Sequence, residues 1–387
     1  MGDTWHLVTG EYPPQPGGVS DYTATLATAL ASRGLDVHVW APEAGSAPVP
    51  APPGVTVHRL SSGYDKRGLR ALSTGLDAIS GPRVILIQYV PQAFGARGMN
   101  LAFCRWAQRR ARHRRDDVRV MIHEPYYPFT WWPPRRNALA FANRLMAVLL
   151  LSDVRVAYVS TDAWERRLRK YAPRALRFVW MPVPSAIPSV KPGAATAAWR
   201  ARLGAPGVRV VGHFGTYGAS VARLVAPALT ALLQRRADVH VVLIGGGSSS
   251  FAALLTGSHP EWRSRVTATD RIAPAEVAAC LCACEVVVQP YADGASGRRT
   301  TLMAALANGV PAVTNAGPAT EAVWRTGDVV ALAERSTPAA LADAAIALID
   351  DDERRRAMGA AGAALYAARF AIEHSVDTLL DTNARST

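Results

Sequence analysis

The sequence predicts an α/β protein of two Rossmann-like, doubly wound domains facing one another across a cleft. Three observations lead there. Short apolar runs alternate with segments of helical period, the pattern of parallel strands joined by helices. A glycine-bearing turn separates the first strand from the first helix, and the same unit starts again near the middle of the chain. The length of 387 residues suits two domains, since domains run to about 100–200 residues each.

The elements follow in order. His6 to Gly10 reads as a strand, Glu11 to Gly18 as a loop, and Val19 to Arg33 as a helix. In that helix Tyr22, Leu26 and Leu30 share a face, Gly18 or Ser20 caps the start, and Gly34 ends it. Val37 to Pro42 and Val55 to Leu60 are strands, and Val84 to Tyr89 is a continuous apolar run of the kind buried parallel strands show. Asn100 to His113 reads as a helix with a basic face. Val118 to Ile122 is a strand ending at His123-Glu124-Pro125, and Arg136 to Leu151 is a helix. Val154 to Val159 is a strand whose Ser160-Thr161-Asp162 end caps a helix from Ala163. Phe178 to Pro192, rich in Pro, Ser and Val, reads as the interdomain linker.

The pattern then repeats. Val208 to Phe214 is a strand, followed by Gly215-Thr216-Tyr217-Gly218 and a helix through Gln234. Val239 to Ile244 is a strand ending in Gly245-Gly246-Gly247. Val266 to Thr269 is a strand, and Ala273 to Cys284 is a helix with Pro274 in its first turn. Val286 to Pro290 is a strand that runs into the loop Tyr291 to Arg299. Thr300 to Asn308 is a helix closed by Gly309, Pro311 to Thr314 is a strand, and Pro338 to Asp381 is largely helical. The expected domains are 1–185 and 186–370, with a C-terminal helix over 371–387 crossing back to the first.

Composition narrows the function classes. Hydrophobic residues make up 49% and charged residues 19%, which permits a packed core and excludes a disordered chain. The longest apolar runs, such as Leu145 to Leu151, fall far short of the roughly 18 residues of a membrane span. The N-terminus lacks a basic stretch followed by an apolar one, so the cytoplasm is the expected compartment. Of four cysteines, Cys280, Cys282 and Cys284 form one run. A structural zinc site gathers four ligands in paired clusters, so these three read as small buried helix residues. The net charge is +13, and its excess gathers at Arg105, Arg109, Arg110, Arg112, Arg114 and Arg115, at Arg135 and Arg136, and at Arg166, Arg167, Arg169 and Lys170. Such a surface attracts phosphates, nucleic acid or anionic lipid alike, and no nucleic-acid-binding module accompanies it.

Open parallel sheets bind ligands at the carboxyl ends of their strands. The first half places Glu11, Gly17, Gly18, Gln88, Tyr89, His123, Glu124, Ser160 and Asp162 there. The second places Gly215, Thr216, Gly245 to Gly247, Ser296, Arg298, Arg299, Thr300 and Thr301 there. Gly17-Gly18 directly before a helix suits a phosphate, and it suits the backbone geometry of an ordinary turn equally well. No Gly-x-Gly-x-x-Gly or Walker sequence is present. Ser296-Gly297-Arg298-Arg299-Thr300-Thr301 is sharper. Two arginines at a helix start oppose the helix dipole, and a diphosphate bound there would account for them, the bland alternative being a solvated loop. His123 beside Glu124 reads equally as a structural or an active histidine.

Glu11-Tyr12-Pro13-Pro14 with Gly17-Gly18-Val19, then His123-Glu124-Pro125, then Gly309-Val310-Pro311-Ala312-Val313, together resemble family-four retaining glycosyltransferases of the GT-B fold. The resemblance spans nearly the whole chain. It implies that the second domain binds a UDP- or GDP-linked sugar and the first binds the acceptor, with retention of anomeric configuration and no metal or other cofactor. It places Gly18 against the diphosphate or sugar and His123 at the sugar ring near the reacting centre. Gly215 and Thr216 would flank the phosphates, Arg271 and Ile272 the base. Gly17, Gly246, Ser296, Gly297, Thr300 and Thr301 complete the expected donor contacts, and Asp293 or Glu321 would meet donor hydroxyls. Glu11, Tyr12, Gln88, Tyr89, Glu124 and Asp162 are the expected acceptor contacts.

The departures from the family are equally specific. The family's two glutamates register on Ser296 and Ala304, so no carboxylate is there to hold a ribose. The Arg and Lys expected just after the strand ending at Gly215 are missing between Thr216 and Ser220. Arg298 and Arg299 are expected to supply that charge from a neighbouring loop, because catalysis needs charge near the leaving group irrespective of its origin. Trp106 among its arginines, with Phe129, Trp131 and Trp132 beside Arg135 and Arg136, suits either an anionic bilayer, as for a lipid-linked acceptor at the inner membrane face, or a solvated basic face. A glycan or small molecule is the other acceptor class. Competing readings on the same fold are a sugar-nucleotide epimerase, a phosphorylase-like enzyme, and a nucleotide-sugar-binding partner without activity.

Overall fold

The computed structural model describes residues 4–45, 50–113, 116–131, 135–204 and 207–384. It divides into two units, one of Met1–Val183 with Ile372–Thr387 and one of Pro184–Ala371.

The first unit runs β1 (Thr4–Thr9), α1 (Gly18–Ser32), β2 (Val37–Pro42), β3 (Val55–Leu60), α2 (Lys66–Ala78), β4 (Arg83–Tyr89), α3 (Leu101–Ala111), β5 (Asp116–Ile122), α4 (Arg135–Leu151), β6 (Val156–Val159), α5 (Asp162–Leu168) and β7 (Arg177–Trp180). The strands form one sheet in the order β3-β2-β1-β4-β5-β6-β7, and every pair is parallel. The order reverses between β1 and β4, where Val8 pairs with Ile87 and Thr9 with Gln88. Loops leaving those two strands part in opposite directions, which opens a crevice at their carboxyl ends. Both faces of the sheet are covered. Val8, Ile85, Ile87, Val118 and Val120 pack under α2, α3 and α4 residues such as Leu72, Phe103 and Met146. Trp5, Leu7, Val84 and Leu86 pack under Tyr22, Leu26 and Leu30 on the other face. Such two-sided burial is why these strands read as unbroken apolar runs.

The second unit runs α6 (Ala194–Leu203), β8 (Arg209–Phe214), α7 (Ala219–Arg235), β9 (Val239–Ile244), α8 (Ser248–Gly257), β10 (Val266–Ala268), α9 (Pro274–Cys282), β11 (Val286–Val288), α10 (Thr300–Ala307), β12 (Ala312–Asn315), α11 (Val323–Thr326), β13 (Ala331–Ala333), α12 (Pro338–Asp350) and α13 (Asp352–Arg369). Its sheet order is β10-β9-β8-β11-β12-β13, again parallel throughout. The reversal falls between β8 and β11. The last helix, α14 (Ile372–Ala384), belongs to the first unit, where Val376 and Leu379 are buried beside Trp5 and Tyr158.

Phe178 to Pro192 does not behave as a linker from its start. Arg177–Trp180 pairs with Val156–Val159 and completes the first sheet as β7. Arg169 lies over the Phe178 ring, 4.4 Å from its centroid, and anchors that edge. The sequence reading also passed over α2. Two glycines obscure it, and both are there for packing. A Cβ on Gly75 would run into the Trp40 ring, and one on Gly68 into the carbonyl of Gly63. Asp65 starts this helix by accepting from the Arg67 and Gly68 amides at 2.8 Å each.

Candidate active site

In the first unit the turn after β1 is built around Glu11. Its Oε1 accepts from the backbone amides of Val19 and Ser20, each at 3.1 Å, so a carboxylate covers the N-terminus of α1. A Cβ on Gly17 would overlap that carboxylate, so any other residue there would push the Glu11 side chain aside. The Val19 and Ser20 amides thus carry Glu11, which is held here rather than presented to an acceptor. Gly18 keeps open space around its Cα, with nothing within 4 Å of a built Cβ. The Thr9 hydroxyl donates to the Glu11 carbonyl at 2.8 Å, and the Ser20 hydroxyl to the Gln15 carbonyl at 2.6 Å, which fixes the loop.

At the end of β5, His123 is tied on three sides. Its Nε2 bonds Gln88 Oε1 at 2.8 Å, its backbone amide donates to the Tyr89 carbonyl at 3.0 Å, and its carbonyl accepts from Trp164 Nε1 at 3.0 Å. Burial pushes the imidazole down to about 3, so the ring is neutral near pH 7. It offers hydrogen bonds and no fixed charge. Tyr22 meets it edge-on with ring centroids 5.0 Å apart.

Two expected acceptor contacts prove to be core side chains. Tyr89 is 1% exposed and lies along Phe94, and Tyr12 is 3% exposed within the cluster that holds Leu26 and Leu30. Alternation does not tell outward from inward on strands covered on both faces. Gln88 is wholly buried and reaches the strand ends only through His123. Glu124 and Asp162 are exposed, and Gln92 donates to Glu124 at 3.4 Å. Thr161 stands at the N-cap of α5 but its side chain accepts nothing from the helix, contrary to the capping expected of Ser160-Thr161-Asp162.

In the second unit the glycine turns after β8 and β9 pack on each other. The Gly215 amide donates to the Ile244 carbonyl at 3.0 Å, and a Cβ on Gly245, whose φ is +114, would strike the Gly215 carbonyl. Thr216 is exposed. Arg271 runs over Gly246, where a Cβ would stand 3.2 Å from its Nε, and Ile272 beside it is half-buried. Asp270, in the left-handed region at φ +49, accepts from the Ser249 amide and hydroxyl and covers the start of α8. Below the turn His213 is buried. Its Nδ1 bonds the Tyr217 hydroxyl at 3.0 Å, that hydroxyl donates to the His213 carbonyl at 2.9 Å, and burial holds the imidazole at about 3. Sequence reasoning passed over His213, Asp270 and Asn315. The signal for Asp270 was a strand end followed by a non-glycine turn.

The loop after β11 brings two arginines and an aspartate together. Asn315 fixes it, donating to the Tyr291 carbonyl at 2.9 Å and accepting its amide at 2.7 Å. Arg298 and Arg299, both about one-fifth exposed at 19% and 20%, converge on Asp293. Arg298 Nη2 stands 2.6 Å from Asp293 Oδ2, and Arg299 pairs with Oδ1 while its guanidinium covers the Tyr291 ring at 4.6 Å. Asp293 is therefore spent on the arginines, so it is not the free group expected to meet a donor hydroxyl, and it offsets part of their charge. Ser296 is buried, Gly297 donates its amide to Glu321 at 3.0 Å, and the Thr301 hydroxyl meets the Tyr291 hydroxyl at 2.8 Å. Thr300 opens α10. Ala304 is buried, and no carboxylate replaces it on that helix.

Among the described residues no three His, Cys, Asp or Glu side chains gather as metal ligands, and no helix is long and apolar enough to cross a membrane. Of the basic and aromatic surface, Arg114, Arg115 and Trp132 lie outside the described residues, as does the side chain of Arg135.

The profile of a family described as glycosyl transferase 4-like domain matches residues 17–184, and that of glycosyl transferases group 1 matches 206–351. A comparison with curated proteins finds no match. Among solved structures, sucrose-phosphate synthase from Thermosynechococcus elongatus is similar at 17% identity and a TM-score of 0.75, covering 100% of both chains. HepE of Anabaena, solved with UDP and glucose, is similar at 15% identity and 0.72, covering 99% of this chain and 100% of its own. WaaG, a glycosyltransferase of lipopolysaccharide biosynthesis, is similar at 15% and 0.64, covering 94% and 95%.

Proposed function

This chain belongs to the glycosyltransferases of the GT-B fold, family-four type, and from that premise we propose that it transfers a hexosyl group from a UDP- or GDP-linked donor to an acceptor hydroxyl with retention of configuration and without a metal ion. One observation carries the reading most. A loop at the carboxyl end of β11 holds two guanidiniums, a buried serine and the start of α10 in one place. When the anomeric carbon–oxygen bond breaks, its electron pair stays on the diphosphate. Fixed cations and helix amides beside that oxygen stabilise the charge as it develops. That HepE was solved with UDP and glucose supports a uridine donor here. A thermal-shift panel of nucleoside diphosphates tests the base, because a bound ligand raises the melting temperature by mass action.

In this proposal Arg298 and Arg299 face the diphosphate and Asp293 holds them in register. Arg298→Ala or Arg299→Ala then loses turnover by about a hundredfold or more with an unchanged melting temperature, the scale seen when one charge-stabilising donor is removed. Near-normal turnover in both variants overturns it. His123, neutral near pH 7, serves as a hydrogen-bonding group toward the sugar. Gly18, with space above its Cα, admits the donor. For a lipid-linked acceptor the exposed Phe129, Trp131 and Phe141 would meet an anionic bilayer from the cytoplasmic side. Vesicle co-sedimentation lost at high salt is the check. The partial neutralisation of the arginines by Asp293 favours, as a second reading, a nucleotide-sugar-binding partner without activity. Donor hydrolysis by the purified chain excludes that reading.

A further inference from the structure

A groove of about 680 Å³ lies between α2 and α3. Lys66 and Arg70 line it from α2, Arg105 and Arg109 from α3, with Leu69 and Trp106 as apolar lining. No carboxylate lines it. The Trp106 indole is nearly buried and donates to Ser73 Oγ at 2.8 Å, so that wall is fixed.

The four cations are set apart from their neighbours. Arg110, next in the chain, pairs with Asp77 and Asp116, Arg83 shares both, and Arg112 takes both oxygens of Asp153. Lys66, Arg70, Arg105 and Arg109 have no ion pair or hydrogen bond to any described residue, and Lys66, Arg70, Arg105 and Arg109 are all exposed. Lys66 with Arg70, and Arg105 with Arg109, are four apart on their helices, a spacing at which like charges repel. An anion between the two pairs would relieve a repulsion of about 0.2–0.5 kcal/mol in each.

We infer that this groove binds a multiply charged phosphate group. Guanidinium forks pair with phosphate oxygens, and a diphosphate or phosphodiester offers several charges over the span that four cations surround. The group could come from a soluble phosphate compound or from the headgroup of an anionic lipid. The groove shares no residue with the loop after β11, so the inference does not rest on the donor site.

The test uses the full chain and two probes: inorganic tripolyphosphate by calorimetry, and sedimentation with phosphatidylglycerol vesicles against pure phosphatidylcholine. Arg70→Gln with Arg105→Gln is compared with Arg263→Gln with Arg354→Gln, which removes equal charge from exposed positions of the other unit. The groove variant is expected to bind about 25-fold more weakly, roughly fivefold per charge, with the control within about twofold. Tripolyphosphate binding that the groove variant loses assigns a soluble ligand. Vesicle binding that it loses, without tripolyphosphate binding, assigns the lipid headgroup. Neither probe binding, or equal losses in both variants, overturns the site. Nucleoside diphosphate stabilisation of the groove variant is read in parallel, so a failed donor site and a failed groove give different patterns.

Discussion

Glu11 and Asp270 do the same thing in the two units: each carboxylate covers the amides at the start of a helix that follows a glycine turn. Those glycines serve the approach of a carboxylate or of another turn before they serve any ligand. Glu11→Gln removes the charge and keeps the shape, and it is expected to cost about 1 kcal/mol. That is about 2–4 °C in melting temperature for a unit of this size. An unchanged melting temperature with a raised KM for acceptor would instead mark Glu11 as a substrate contact. Histidines set the pH response. His6, His123 and His213 are all pushed down to about 3 by burial. Unfolded, each titrates near 6.5, so between 6.5 and 3 the unfolded chain binds protons that the folded chain refuses, and stability falls as pH falls. From pH 7 to 5.5 each histidine removes about 1 kcal/mol, roughly 3–4 in all. Urea midpoints over that range check the sign, and His213→Gln, which keeps a hydrogen-bonding side chain without the titration, flattens the slope.

Helices placed against helices show where periodicity informs and where it fails. On α13, Gly359 and Gly362 turn toward α10 and the turn that follows it, where a Cβ on Gly359 would overlap the Gly309 carbonyl and one on Gly362 would stand 2.8 Å from Leu306 Cδ2. Gly359→Val forces the helix outward and is expected to cost about 2 kcal/mol, the range of core overpacking. A urea midpoint equal to that of the parent would show that the two helices can part freely. The order of strands and helices was legible because apolar runs and helical stripes survive burial. Glycine-rich α2 and three-residue β13 were not, being too interrupted or too short to show a period. The site was legible at the level of strand ends. Which way Tyr12 and Tyr89 point was not, since strands covered on both faces carry no alternation. The pairing of Asp293 with Arg298 and Arg299 lies within an irregular loop, where sequence spacing says nothing about distance. Asp293→Asn tests that pairing. If the carboxylate positions the arginines, the variant loses turnover at unchanged donor affinity. If it only neutralises them, donor affinity rises.

The chain leaves its first unit after Val183, builds the second, and returns at Ile372. That return is part of the first unit's core. Val376 is 1% exposed and Leu379 0%, both packed in the cluster of Trp5 and Tyr158. Arg119, itself fully buried, donates one guanidinium nitrogen to the Leu379 carbonyl at 2.9 Å and others to Asp117. Ending the chain after Ala371 would remove those two apolar side chains from the core, a loss of about 2 kcal/mol each. It would also leave a buried arginine short of an acceptor, at about 1–3 kcal/mol more. The sum, about 5 kcal/mol, corresponds to a melting temperature lower by about 10 °C or more for the first unit. The second unit keeps its own sheet, its own core and the loop after β11, so nucleoside diphosphate affinity is expected to persist while transfer is lost. Calorimetric scans of the truncated chain with and without ligand separate the two outcomes. One transition moving down, with a second still raised by ligand, supports two units that melt independently. A single transition that falls as a whole would mean that the two cores melt together.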